Sequence, residues 1–595
     1  MLRASLGRTM ELLSARDKAR MAVLFLMMLV SAALEVVGVG VIPAFVVVVA
    51  TPAKALESPL LGPVLSALHI QSSGDLLVYG AVLLILIFLV KNAYSVYYNL
   101  EFARFVHKVF NDLGEKVFSG YMRAPYTFHL GRNSAELVRN ATQEAYIVSK
   151  EVLESLLRLV MNAVLILGIA ALLFWADPRV TTFALVFLGS VAGLSLRVLR
   201  QRVTYHGMQS RKARKAMIQA VQEGLGGLKD IRILGREGWF VDAFTAAGRA
   251  YARGQIFKQV MATAVKPVIE TCAVTGLLVM ALVFHAQGRN TAEIVSFLSL
   301  FGIAAIRLMP ALNEFMFAWN TLRFSAGSVE RIHADLTLNQ ASSGTDGESM
   351  PAEETPADVA IAFRDVSYTY PGAATPSVRD LSLDIRRGEV TGFVGPSGSG
   401  KTTIVDLLLG LLEPQSGRIL AEGGDIFAGL PAWRSRIGYV PQNIFLTDST
   451  LGQNIALGIP ESEVDAGRLE AAIRDAQLED LVRSLPSGIH TRVGERGVRI
   501  SGGQRQRVGI ARALYASPSI LVLDEATSAL DNATERDFVE AIEGLRGNLT
   551  IVMVAHRMTT VRACDRLFLI EKGRLAGEGT YQELLAHNAG FQQIV

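Results

Sequence analysis

Six stretches of this chain stay apolar over enough residues to cross a hydrocarbon layer of roughly 30 Å: about 21–50, 76–99, 153–175, 180–199, 262–285 and 294–320. Each predicts a transmembrane helix, and all six precede residue 321. The pattern then changes. Gln340 to Asp358 is polar, acidic and poor in aliphatic residues, so it cannot bury enough surface to fold alone and is expected to be a tether. Beyond it, short apolar runs such as Val390 to Val394 and Ile520 to Leu523 predict buried strands, and Thr402 to Leu412 predicts a helix. The expected organisation is an α-helical membrane domain over 1–335, a flexible acidic linker over 336–358, and an α/β domain over 359–595.

The connections between the apolar runs alternate in charge. The N-terminal segment from Arg3 to Arg20, the stretch from Arg104 to Arg139 and the cluster from Arg197 to Lys215 are basic, whereas 51–75, 176–179 and 286–293 carry few cations. The positive-inside rule then puts both termini and the two long connections, about 100–152 and 200–261, in the cytosol. Those connections contain little Pro and fit helices continuing out of the membrane. The external stretch Ser58 to Ile70 is apolar but too short to span, which suits an interfacial helix or an ordered loop. No cleavable signal peptide is expected, because the basic start leads into an apolar run too long for one.

Half the residues are hydrophobic and the mean hydropathy is +0.33, high for a soluble protein. The net charge of +3 gives no basis for nucleic-acid binding. The two cysteines, Cys272 and Cys564, lie in different regions and support no disulfide framework. Charges inside the apolar runs carry more information, since each costs about 2.5–3.5 kcal/mol to insert. Glu35, Lys91, Glu270 and Arg307 lie inside or near the ends of the runs, and Lys266 lies nearer an edge. Lys91, Lys266 and Arg307 are candidates for a cationic cavity wall that attracts an anionic substrate; the alternative for Arg307 is an ion pair with Glu35 or Glu270.

The α/β half carries the chemistry. Gly395-Pro396-Ser397-Gly398-Ser399-Gly400-Lys401-Thr402 is a P-loop set between a strand and a helix. In such a loop, backbone N–H groups surround phosphate, glycines allow close approach, Lys401 bridges β- and γ-phosphates, and Thr402 supplies a hydroxyl to Mg²⁺. Asp524 and Glu525 end an apolar strand. Asp524 is the candidate Mg²⁺ ligand, and Glu525 the candidate general base that polarises the attacking water.

Together with Ile500-Ser501-Gly502-Gly503-Gln504, these motifs resemble the nucleotide-binding domain of ABC transporters, with a RecA-like core and a helical subdomain. In that family the signature, here Ser501, Gly502, Gly503 and Gln504, contacts ATP held by the P-loop of the other subunit. The resemblance further implies that Gln442 is the Q-loop glutamine near Mg²⁺ and water, Asp531 the D-loop aspartate and His556 the switch histidine. Tyr370 would be the aromatic that stacks on adenine, and Thr403 would also belong to the ATP-binding residues. Glu495, in Thr491 to Gly497, matches the X-loop of exporters. Gly226 and Lys229, in Glu223 to Glu237, match a coupling stretch, as do Pro125 to His129 with Ser134 to Leu137.

One nucleotide half and six spans in a chain imply a homodimer of the type IV exporter kind, with ATP and Mg²⁺ as cofactors. The expected setting is a bacterial inner membrane, with the ATPase domain cytosolic. Alternating access driven by ATP hydrolysis is the expected cycle. For cargo, the stretch from Gly224 to Glu237 and the segment Leu34 to Pro43 resemble the PglK-type lipid-linked oligosaccharide flippases. That resemblance implies a lipid-anchored anionic substrate, a polyprenyl-pyrophosphate-linked oligosaccharide, moved from the inner to the outer leaflet. The alternatives are a multidrug, phospholipid, lipid A or peptide exporter. An ATP-gated channel and a soluble DNA-repair ATPase fit less well, the first because Glu525 is intact, the second because of the six spans.

Overall fold

The computed structural model describes residues 2–50, 73–176, 178–288, 291–341, 356–494, 497–525, 540, 542–555 and 557–594. By compactness the chain forms two units, one of Met1–Ala124 with Gly131–Gly344, the other of Pro125–Leu130 with Thr345–Val595. The stretch from Ser58 to Ile70 lies outside the described residues.

Among its described residues, the first unit is mainly helical. All six predicted spans lie within long helices: Ala15–Ala50, Ser73–Arg123, Glu154–Ala176, Pro178–Gly226, Glu237–Ala286 and Thr291–Ala341. The Ser73–Arg123 helix has 51 residues, which at 1.5 Å per residue is roughly 75 Å, more than twice the hydrocarbon thickness. The long connections are therefore continuations of membrane helices, as the low Pro content predicts. Among the described residues, Ala15–Ile42, Gly74–Arg123 and Ser134–Trp175 are long and apolar enough to cross a membrane, and Glu270–Ala286 is a shorter apolar helix. Leu86 and Leu89 are 56% and 62% exposed. Lipid tails are as apolar as these side chains, so that exposure carries no cost in a bilayer.

The first long connection departs from the plain helix the sequence suggests. The chain breaks before Pro125, which lacks an N–H and disfavours helix at the residue before it. It forms a short helix, Tyr126–Leu130, and restarts at Ser134–Arg139, capped by Asn133 Oδ1 accepting from the Ala135 N–H at 2.9 Å. Two π-helical stretches follow, Asn140–Glu144 and Ile147–Leu153. Buried Asp335, from the last long helix, accepts hydrogen bonds from Tyr121, from Arg132 at 2.6 Å and from Asn140 at 2.9 Å, and so ties this irregular region together. In the second connection the helix ends at Gly226, Leu228–Ile233 forms a short helix, and Gly235 takes φ +60° before the next helix starts at Glu237. Gly226 and Lys229 are both exposed there.

The second unit contains two sheets. β1 (Val359–Tyr368), β2 (Val378–Arg386), β4 (Ser416–Ala421) and β5 (Gly424–Asp425) form an antiparallel sheet in the order β2-β1-β4-β5. The other runs β10-β9-β3-β8-β7-β6, from β3 (Val390–Val394), β6 (Ile437–Val440), β7 (Ile520–Asp524), β8 (Thr550–Val554), β9 (Arg566–Glu571) and β10 (Arg574–Gly579). Its strands pair in parallel apart from the β9–β10 hairpin. The central β3, β7 and β8 are buried along their whole length, as strands covered on both faces must be. Phe363, Phe393 and Phe568 fill the space between the sheets and the helix Lys401–Leu408. A second apolar cluster joins the helices Leu451–Ile455, Ala466–Asp475 and Gly502–Tyr515 through Leu451, Leu469, Ile473 and Val508.

Candidate nucleotide site

β3 delivers the chain to the glycine-rich turn at the carboxyl edge of the parallel sheet. The turn leaves no room for side chains at two of its glycines. A Cβ on Gly395 (φ +149°) would lie 2.2 Å from the Ile570 carbonyl oxygen, and one on Gly400 (φ +108°) 2.5 Å from that of Ser377. A buttress lies behind it: Gly573, in the β9–β10 turn, donates its N–H to the Ser399 carbonyl at 2.9 Å, and its own carbonyl accepts from the Arg379 N–H at 2.8 Å. Sequence reasoning missed this buttress, because it joins positions far apart in the chain.

Lys401 is 5% exposed, and its Nζ donates to the Gly395 and Pro396 carbonyls, each at 2.9 Å. Burial holds its pKa below the usual lysine range, while Glu525 and Asp524 oppose that shift. Ser399 Oγ is buried and makes no hydrogen bond among the described residues. An orphaned hydroxyl, a cradle closed to Cβ atoms and a lysine over the turn suit a phosphate chain. Thr402 is exposed at the helix start, and Asp524 is buried at the end of β7. A hydroxyl and a carboxylate form the hard-oxygen donor set Mg²⁺ prefers; Thr402 and Asp524 would hold the ion, which would offset the negative charge of the phosphates.

Glu525 follows with φ +49°, a left-handed conformation unusual for a residue with a side chain. Its Oε2 accepts from Gln442 Nε2 at 2.6 Å, so the candidate base and the candidate Q-loop residue meet directly.

The signature segment begins the helix Gly502–Tyr515 with a capping box. Ser501 Oγ accepts from the Gln504 N–H at 3.2 Å, and Gln504 Oε1 accepts from the Ser501 N–H at 2.8 Å. The side chain of Gln504 thus builds the cap within its own chain, whereas Ser501 is exposed and keeps its hydroxyl proton to donate to an anion. Gly502 and Gly503 present the first N–H groups of the helix.

Thr403 follows Thr402 on the same helix. It is 6% exposed, and its Oγ1 lies 3.3 Å from the Tyr370 hydroxyl. Tyr370 is half-buried and packs edge-on to Tyr368 at 5.1 Å. Two groups near Asp524 were also missed. Burial and the Asp524 charge raise the Asp406 carboxyl to about 6, and burial with Asp524 and Asp406 pushes the Tyr439 phenol well above its usual range. Asp406 lies one helical turn beyond Thr402, a spacing the sequence does display. Asp531, His556 and Glu495 lie outside the described residues.

In the membrane unit, Lys91 does not line an open cavity. It is 3% exposed, its Nζ lies 3.0 Å from Glu35 Oε2, and it also approaches the Phe88 ring at 5.0 Å. The cost of an isolated charge in hydrocarbon explains the correction: the lysine is neutralised within its own chain. Glu35, offered above as a partner for Arg307, pairs with Lys91. The side chains of Lys266 and Arg307 lie outside the described residues.

Comparison with known proteins agrees with both halves. The ABC transporter transmembrane region matches residues 41–305, and the ABC transporter domain matches 378–528. The chain is 33% identical over 543 residues to the ATP-dependent lipid A-core flippase of Thiobacillus denitrificans, covering 90% of this chain and 91% of that one. This chain belongs to the ABC transporters. Proteins of the same description from Paraburkholderia xenovorans (31% over 544 residues, 91% and 89% covered) and Xanthomonas campestris pv. campestris (30% over 534 residues, 89% and 88% covered) are also similar to this ABC transporter. The structure of a bacterial Atm1-family ABC exporter with ATP bound superposes with a TM-score of 0.78 over 98% of both chains; at 23% identity it speaks for the fold alone. This ABC transporter is thus a helical transmembrane region fused to an ABC ATPase domain and acts as an ATP-dependent exporter or flippase. The relatives named above are described as lipid A-core flippases, not as lipid-linked oligosaccharide flippases.

Proposed function

We propose that this ABC transporter works as a homodimer in a bacterial inner membrane, its ATPase domains and both termini cytosolic. It would flip a phosphorylated glycolipid of the lipid A type from the inner to the outer leaflet. The observation that carries the cargo is the 33% identity to a lipid A-core flippase over nearly the full length of both chains. Each ATP would lie between Lys401, Ser399 and Thr402 of one subunit and Ser501 and Gly503 of the other. Asp524 and Thr402 would hold Mg²⁺, and Glu525, oriented by Gln442, would take the proton of the attacking water. ATP binding would close the dimer and open the membrane halves outward; hydrolysis would reset them.

The second reading is a polyprenyl-pyrophosphate oligosaccharide, favoured by the Gly224 to Glu237 stretch. The two are separated by ATPase stimulation in nanodiscs. Lipid A-core glycolipid should stimulate the full-length protein at concentrations where the polyprenyl compound does not. Stimulation by the polyprenyl compound alone would reverse the order.

A further inference from the structure

The chain passes between its two units three times: after Ala124, after Leu130 and after Gly344. One buried carboxylate is tied close to all three passages. Asp335 is 5% exposed and lies on the helix Thr291–Ala341, which ends three residues before the third passage. Its Oδ2 accepts from the hydroxyl of Tyr121, three residues before the first passage, and from Asn140 Nδ2 at 2.9 Å. Its Oδ1 accepts from Arg132 at 2.6 Å, just after the second. The same helix makes another tie one turn earlier. Arg331 lies 3.7 Å from buried Glu144, which also lies 3.7 Å from buried Arg139. Arg331 and Asp335 are four residues apart and share a helix face, so one turn offers an acid to Arg132 and a base to Glu144. Asn140–Glu144 is π-helical, and π turns are frequently lodged at functional positions. Drawing any one donor away would leave a buried carboxylate under-satisfied, which costs more than the bond itself. The segments flanking the first two passages and the helix leading to the third are therefore held to move together.

We propose that Asp335 is a positioning residue for coupling: it locks the root of the Pro125–Leu130 excursion to the Thr291–Ala341 helix, so that nucleotide-driven movement of the second unit is delivered to that helix instead of being absorbed in the connections. Asp335 belongs to the first unit and the candidate nucleotide residues to the second, so it acts on transmission and not on ATP binding. The proposal rests on the ATP-driven cycle above and not on its cargo.

Asp335→Asn keeps the shape of the side chain but turns one accepting oxygen into an amide donor that faces donors. Hydrogen-exchange mass spectrometry on full-length protein in nanodiscs, carrying Glu525→Gln to stop turnover, reads each segment with and without MgATP. In the parent, ATP should change exchange in the Thr291–Ala341 helix as well as in the ATPase domain. With Asp335→Asn added, ATP affinity and the change within the ATPase domain should persist, while the change in that helix should shrink at least about twofold, the lower end of what one residue takes from a coupling. Arg132→Gln, which spares the Tyr121 and Asn140 bonds, should act in the same direction and carries the test if Asp335→Asn does not fold. A merely structural role would raise exchange around Asp335 equally with and without ATP and leave the ATP-driven difference whole; that result would overturn the proposal. So would a parent helix that does not respond to ATP. No cargo is added, so either failure is distinct from a failure of the lipid A reading, which shows in the cargo-stimulated ATPase.

Discussion

Gln442 donates its side-chain N–H to the Glu525 carboxylate at 2.6 Å, joining two residues 83 positions apart in sequence. The glutamine follows β6 and the glutamate follows β7, and these strands are parallel neighbours. Their pairing in the sheet therefore brings the candidate base to its orienting partner. Glu525→Gln should lower the ATPase kcat by about 10²- to 10⁴-fold, the usual range for losing a general base, while ATP affinity persists. Gln442→Ala, which removes only the orienting bond, should cost less. Steady-state hydrolysis with parallel nucleotide binding checks both.

The P-loop glycines should not tolerate even a methyl group. Gly400→Ala would place Cβ 2.5 Å from the Ser377 carbonyl at φ +108°, strained both by contact and by backbone conformation. ATP affinity should fall at least about tenfold, as backbone strain of about 1–3 kcal/mol would give. Gly573→Ala, with Cβ 2.6 Å from the same carbonyl, should weaken ATP binding through the buttress. Equilibrium nucleotide binding measures both.

The Lys91–Glu35 pair makes a prediction about stability. Removing the carboxylate leaves the buried Lys91 ammonium without its ion-pair partner, so Glu35→Gln alone should destabilise the membrane unit by about 3–5 kcal/mol, more than Lys91→Met alone, since the Glu35 side chain is 23% exposed. The double variant should recover much of that loss. Thermal unfolding in detergent compares the three.

Asp406 gives the nucleotide-free protein a pH dependence. Its pKa in the folded chain is about 6, above the ordinary 3.8. Between those values the native state keeps a proton that the unfolded chain has released, so stability falls as pH rises from 3.8 through 6 and stays lower above. Asp406→Asn should therefore raise the melting temperature more at pH 7.5 than at pH 5. An equal rise at both would show that the carboxyl does not titrate as stated.

Much of the ATP site was legible because its chemistry needs fixed residue types at short spacing. Three glycines, a lysine and a threonine within eight positions leave little room for another reading. The long helices of the first unit were legible because length and apolarity suffice to predict them. What escaped depends on register and distance. Gly573 meets Ser399 across the sheet, and Lys91 finds Glu35 on another helix. The π-helical turns at Asn140–Glu144 and Ile147–Leu153 escaped because an extra residue per turn leaves composition unchanged.

The composite site is testable by mixing subunits. Lys401→Ala and Ser501→Arg homodimers should each be inactive. A dimer with one copy of each retains one intact P-loop facing one intact signature, and should regain hydrolysis at that site. No recovery in purified mixed dimers would argue against sites shared between subunits.

The most direct test of the central claim is ATP-driven movement of a fluorescent lipid A-core glycolipid in proteoliposomes, with Glu525→Gln as the control. The account predicts flipping that requires hydrolysable ATP and disappears in the Glu525→Gln protein. Vigorous ATP hydrolysis with no movement of that lipid, or movement that persists in the variant, would contradict it.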